Sequence, residues 1–271
     1  MNTPAQIAAM TEEIGVYKAN QKVRKLAILA IFGGLFIGLG AMGASVAAHA
    51  IESVAAQKMI SAVVFPTGLI MLLLCGAELF TGDCLAAIAC IQKKISWLKF
   101  FKLLTLVWLF NFIGGAIAAG LTFLTPQWNM NGGLLGAYVI KLAADKTAIA
   151  LAPAFVSGIL CNVMVCLAIW AAAAAKDATG KIFACFFPLV VFVLSGFEHC
   201  VANMYYITAG LLAKTNPAYV AVAMDALHAS PEKLEGLTIA NFLIRLIPVT
   251  LGNIVGGSAF IGAMYTWEYL K

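Results

Sequence analysis

Residues 195–203 read SGFEHCVAN: a carboxylate, Glu198, is followed directly by an imidazole, His199, inside an otherwise apolar stretch. Side by side, these two types could do acid–base work, because imidazole titrates near neutral pH and a carboxylate can hold a cation, a proton or a backbone donor. An ionisable group at bilayer depth is costly and marks an ion or proton pathway by default. His199 is therefore the leading candidate for function. Glu198 has two readings, membership of that pathway or capping of the N–H groups an interrupted helix leaves unpaired. Both apply equally to Glu78.

Glu78 lies in a second polar interruption, CGAELFTGDC, residues 75–84. There the Thr81 hydroxyl either faces a lumen opposite His199 or caps its own loop. Lys146, in AADKTAIALAP, either concentrates anions at an outer mouth or is an interfacial lysine beside Asp145. Phe65, Leu69 and Phe192 fall within a few turns of the interruptions, where they either narrow a pore or face core and lipid. His49 and His228 receive no role. The chain has no Walker loop, no HExxH, no paired Asn-Pro-Ala and no nucleotide fingerprint, so no cofactor or metal is expected and a membrane ATPase is disfavoured. An enzyme using Glu198 and His199 as an acid–base pair is disfavoured too, since no nucleophile or cofactor motif accompanies them.

The elements that position these residues must lie in a membrane. Of the 271 residues 63% are hydrophobic and 11% charged, and the mean hydropathy of +0.97 is outside the soluble range. Apolar runs near 26–50, 59–91, 99–125, 147–175, 182–212 and 237–267 each reach the roughly 20 residues that a spanning helix needs. They make six spans. Seven cysteines, an odd number without CxxC spacing, fit buried apolar thiols better than a disulfide framework or zinc site. Lys and Arg divide eleven to six between the two sides, which puts both termini in the cytoplasm. The net charge of +5 is thus mainly a topology signal and points to no nucleic-acid partner. Residues 1–25 lack a signal-peptide core, and TEEIGVYKANQKVRK reads as an amphipathic helix lying on the membrane surface.

As one helix, 59–91 would run about 50 Å against about 30 Å of hydrocarbon, so it must break at CGAELFTGDC, and the fifth span must break at SGFEHCVAN. Irregular backbone at that depth is tolerated only inside protein or beside a watery cavity. Both breaks carry Gly-x-Glu, and the next span of each half carries Asn-x-x-Gly-Gly: NFIGG from Asn111 and NIVGG from Asn253. This is an internal duplication, about 26–125 and 147–267, within a six-span domain of residues 26–271. Three spans per repeat force the halves into opposite orientations, as in transporters with a site near the midplane. The surplus length of the second half, TNPAYVAVAMDALHASPEKLEG, reads as an external loop or half-buried cap. Small-xxx-small glycine spacing in several spans reads as close helix packing.

GFEHCVANM, AELFTGD, CNVMVCLAIW, IPVTLGNIVGG and the leading GVYKA closely resemble the formate/nitrite transporter family over essentially the whole chain. The resemblance implies an all-α membrane protein, six transmembrane helices in an aquaporin-like inverted repeat with the second and fifth interrupted, assembled as a homopentamer with one pore per subunit. It implies roles as well: His199 as the central pore histidine, Thr81 as the threonine of the first break, Lys146 as the lysine near the outer mouth and Asn253 as the asparagine of the last span. Phe65, Leu69 and Phe192 match the hydrophobic constrictions, and Leu79 and Phe80 the loop nearer the cytoplasm. The implied partners are a small monovalent anion (formate, with nitrite and hydrosulfide as alternatives), a proton, the bilayer and further copies of the chain. The implied location is the bacterial cytoplasmic membrane. A bare anion in an apolar slit faces a Born cost on the order of tens of kcal/mol, and a neutral weak acid does not. Two mechanisms stay open: permeation as the weak acid with help from His199, or a pH-gated ion channel in which Val16–Asn20 and the Thr81 loop move. A neutral-solute or ammonium channel, which also combines inverted repeats with a buried histidine, is a more distant alternative.

Overall fold

The computed structural model describes residues 1–270, and every regular element in it is helical. Helix α1 (Pro4–Ala19) opens on a capping box in which Thr3 accepts from the Gln6 N–H and the Gln6 side chain accepts from the Thr3 N–H. The first repeat follows: α2 (Val23–Ala48), then α3 (Val54–Val64) and α4 (Thr67–Cys75), offset at Phe65–Pro66. Helix α4 stops at Gly76, whose φ of +78° suits glycine alone among common residues. The chain then runs through 77–79 without regular structure before α5 (Phe80–Asp83), a 3₁₀ turn (Cys84–Ala86) and α6 (Ala87–Ile91) finish the span. Helix α7 (Trp97–Phe123), capped by Ser96, closes the repeat.

A 19-residue helix, α8 (Met130–Ala148), kinked at Asn131–Gly133, leads to the second repeat. That repeat is α9 (Leu151–Ala174), α10 (Ala178–Ser195), α11 (Cys200–Ala213) and, beyond the cap helices α12 (Pro217–Asp225) and α13 (Pro231–Gly236), α14 (Ile239–Val255). The last span continues through a π-helical stretch, Gly256–Ala263, into α15 (Met264–Tyr269). Helix α10 ends at Gly196, left-handed at φ +72°, as α4 does at Gly76. Among the described residues, six helical spans are long and apolar enough to cross a membrane, while Phe80–Ile91 and Cys200–Ala213 are half-length.

The repeats are inverted. The Asn2 N–H donates to the Ala174 carbonyl, so α9 arrives at the end of the molecule from which α2 departs. The C-terminus lies at that end as well, where Gln92 donates to the Leu270 carbonyl. Helix α2 packs along α7 as α9 packs along α14. Glycines let these pairs approach backbone to backbone: a Cβ on Gly114 would overlap the Ile31 carbonyl, and one on Gly256 the Ile159 carbonyl.

Two expectations need correction. Helix α1 is not amphipathic. It docks on the protein itself, burying Ile7, Ala8 and Gly15 against α6, the 3₁₀ turn and the final span, because its apolar residues form no lipid-facing stripe. Lys146 does not simply precede the fourth span but belongs to α8, a helix too polar and short to register as an apolar run. Of the two readings of the extra segment of the second repeat, the cap holds: α12 and α13 pack on α8. Six cysteines are buried, as the composition suggested, and Cys75 is exposed.

Candidate functional site

Two asparagines build the two breaks in the same way. The Asn111 side chain accepts from the Phe80 N–H (2.9 Å) and donates to the carbonyls of Glu78 (2.9 Å) and Ala30 (2.7 Å). Asn253 accepts from the Cys200 N–H (2.9 Å) and donates to the carbonyls of Glu198 (3.0 Å) and Gly158 (2.8 Å). Both are fully buried, and each satisfies backbone groups that an interrupted helix strands in a dry interior. The Glu78 and Glu198 N–H groups are met by the Leu29 carbonyl and the Ser157 hydroxyl. The glutamates are thus not the caps of their breaks. Asn253 acts as a clamp, its amide engaged with backbone on both sides.

The glutamates instead hold lysines. Lys146 lies 2.8 Å from Glu198, whose other oxygen accepts from Asn203 (2.6 Å). Its partner is therefore not Asp145, which pairs with Lys233 and Lys141. At the other break Lys18, from α1, meets Glu78 at 2.5 Å and Asp83 at 2.6 Å. Burial disfavours the Lys18 ammonium, but the Asp83 and Glu78 carboxylates more than reverse this and hold the amine above the usual lysine range.

Counting from the glycines, Leu79 is equivalent to His199 and Asp83 to Asn203. His199 is buried, and its Nδ1 accepts from the Ala202 N–H at 3.1 Å, capping α11. A neutral imidazole has one donor and one acceptor, so this cap assigns the proton to Nε2. Nε2 faces the Thr81 hydroxyl at 3.0 Å. Thr81 lies across the axis on α5, held by Asn162, which donates to the Thr81 and Asn253 carbonyls. Thr81 therefore presents its hydroxyl to His199 rather than capping its own loop.

Two cavities approach this pair from opposite ends. A cavity of about 420 Å³ runs from Lys58 and Lys141 past Lys146 to Phe65, Phe192 and His199. A second, of about 210 Å³, is lined by Lys18, Asp83, Leu72 and Leu79. Between them the path is closed by Phe65 and Phe192, whose rings meet edge to face at 5.6 Å, by Leu69, and by the Thr81–His199 pair. Phe192 also lies 5.9 Å from the His199 ring. Phe80 is buried and lines neither cavity. The breaks thus bring together His199, Thr81, Glu198, Lys146, Asn253, Leu79 and the three apolar constriction residues. Sequence reasoning missed Lys18, Asp83, Asn111 as a clamp, Asn162 and Asn203. The Asn-x-x-Gly-Gly repeat already contained the signal for Asn111, whereas nothing local pairs Lys18 with residues 60 positions onward.

Two cavities that close on an apolar waist beside a buried imidazole and hydroxyl have the form of a membrane channel or transporter. The formate/nitrite transporter family matches residues 5–267. The formate channel FocA of Escherichia coli strain K12 is 34% identical over 99% of this chain and 94% of its own length. A solved pentameric formate channel with formate bound superposes with a TM-score of 0.83 at 33% identity, covering 92% of this chain and 98% of that one. A solved FNT family ion channel gives 0.79 at 26% identity, covering 98% of both chains. The chain belongs to the formate/nitrite transporter family, an integral membrane transport protein and not an enzyme.

Proposed function

We propose that this protein moves a small monovalent weak-acid anion, formate in the first place, across the cytoplasmic membrane in the protonated form. Nitrite and hydrosulfide are the alternatives of the same class. The observation that carries this reading is the buried Thr81–His199 pair, flanked by Phe65, Leu69 and Phe192 and reached by a cavity from each end. Lys58, Lys141 and Lys146 together outnumber Asp145 and Glu198 around the outer cavity and draw the anion in, and the cavity's water supplies a proton. The neutral acid then crosses the apolar waist, where the ion alone would face the desolvation cost. His199 Nε2–H and the Thr81 hydroxyl replace its lost hydration with hydrogen bonds. Because Nδ1 is held by the Ala202 N–H, His199 works here as a hydrogen-bond donor; becoming imidazolium requires release of that cap.

The chain assembles as a pentamer, in keeping with the solved structure above and with apolar side chains such as Leu243, Ile247 and Leu251 exposed on single subunits. Both termini face the cytoplasm, by the lysine and arginine balance. The test is flux in liposomes for formate, nitrite, hydrosulfide, acetate and lactate over a range of pH, with wild type and His199→Phe. Electroneutral uptake that rises with acidity and vanishes in the variant supports the reading. Unchanged pH dependence in His199→Phe refutes the role of the imidazole, and current reversing with membrane potential supports passage of the bare ion instead. Swelling of the same liposomes in glycerol or ammonia reports a neutral-solute channel.

A further inference from the structure

At the inner break one ammonium faces two carboxylates. Lys18 Nζ is within hydrogen-bond distance of both Glu78 and Asp83, which leaves one negative charge without a counter-charge. The Asp83 side chain has no exposed surface, its Oδ2 has no donor, and it lines the inner cavity. The Gln21 amide donates weakly to Glu78 at 3.4 Å, and its own buried oxygen, Oε1, also lacks a donor. The other titratable groups around Asp83, the thiols of Cys84 and Cys166, bring no cation. The rest of the cavity lining is mainly apolar, Leu72, Leu73, Ile169 and Ala173 among it, and the Thr11 hydroxyl there is already spent on the Ile7 carbonyl. In the outer break the equivalent position is Asn203, which donates to Glu198, so Lys146 and Glu198 balance.

A buried site with surplus acceptors and one surplus negative charge lacks a donor that brings a positive charge. A metal ion would sit against the Lys18 ammonium and be repelled, whereas a proton on a carboxyl oxygen cancels the charge and adds the missing O–H. We propose that Asp83, with Glu78 and Lys18, is a proton-binding site at the inner end of the passage, which receives the proton of the weak acid that emerges past Leu79. This builds on the weak-acid reading above. In the step, the O–H bond of the acid breaks and a new O–H forms on the Asp83 carboxylate. The anion departs past Lys18, and the carboxyl later returns its proton to inner water. Inward and outward flux are the same step run in opposite directions.

The test is infrared titration of the purified protein in lipid with no permeant present, following the C=O stretch of protonated carboxylic acid. Wild type should show a band that persists at pH values where exposed carboxylates are ionised, lost in Asp83→Asn, restored in Asp83→Glu, and unchanged when sodium or potassium is replaced by choline. In liposomes, Asp83→Asn should lose the dependence of formate flux on inner pH while keeping its dependence on outer pH. No titrating carboxyl in wild type, a band retained in Asp83→Asn but lost in Glu78→Gln, or a band displaced by sodium each overturns the proposal. Wild-type titration alone decides the first of these, so a variant that fails to fold does not shield the idea. A titrating Asp83 in a protein that passes none of the weak acids would sink the transport reading instead.

Discussion

The two breaks share a frame and differ in what it holds. Asn111 and Asn253 make the same three hydrogen bonds, Gly76 and Gly196 end the preceding helices, and Glu78 and Glu198 each grip a lysine from outside the span. Within that frame one side presents Leu79 and Asp83, the other His199 and Asn203. The backbone solution to an interrupted helix is general, because every such break must satisfy the same stranded donors and acceptors. The chemistry lies in the two positions that the clamps leave free. Duplication supplied the scaffold twice, and substitution at those positions made the ends unlike.

Exchanging the free positions tests this division most directly. His199→Leu gives the second break the residue of the first at one of the two positions; flux of a weak acid should be lost, while thermal unfolding shifts only by the cap, about 1 kcal/mol. Flux persisting in purified His199→Leu would show that the breaks differ for some other reason. Next, Lys146→Met leaves Glu198 buried and uncompensated, costing about 3–5 kcal/mol in detergent unfolding, with Glu198→Gln in the same chain restoring most of it. Asn111→Ala and Asn253→Ala should each cost about 1–3 kcal/mol for every buried group left unsatisfied. Similar losses support equivalent clamps, and a large disparity would break the comparison. The smallest effect concerns pH. Because the folded-state pKa of Lys18 is raised, its hold on α1 is complete below the ordinary lysine value of about 10.4 and fades only as pH rises through the elevated one. Protease protection of α1 should therefore be flat from neutral pH to about pH 10, and a loss beginning near pH 8 would contradict it.

Much of this was legible in the residues. Span length against bilayer thickness demands the breaks, Gly-x-Glu and Asn-x-x-Gly-Gly reveal the repeat, and an imidazole in an apolar run draws attention to itself. What stayed hidden depends on long-range geometry. Lys146 and Glu198 are 52 positions apart, and α8, which brings them together, has too little apolar surface to read as an element. In sequence Asp83 is only one of the polar residues of CGAELFTGDC, and its partner Lys18 comes from a separate helix 65 positions earlier. Capping is one of the two readings of the glutamates because a break needs caps, but distant asparagines and His199 itself supply that need.

The half-spans Phe80–Ile91 and Cys200–Ala213 both begin at the breaks, so their amino ends point at one another across the waist. Aligned peptide dipoles give each such end a partial positive character. Hydronium, ammonium and alkali ions therefore meet an electrostatic barrier at the place where a hydrogen-bonding acid finds donors. On the weak-acid reading proposed above, a membrane perforated by this protein stays electrically tight, its ion gradients intact, while organic acid exchanges across it.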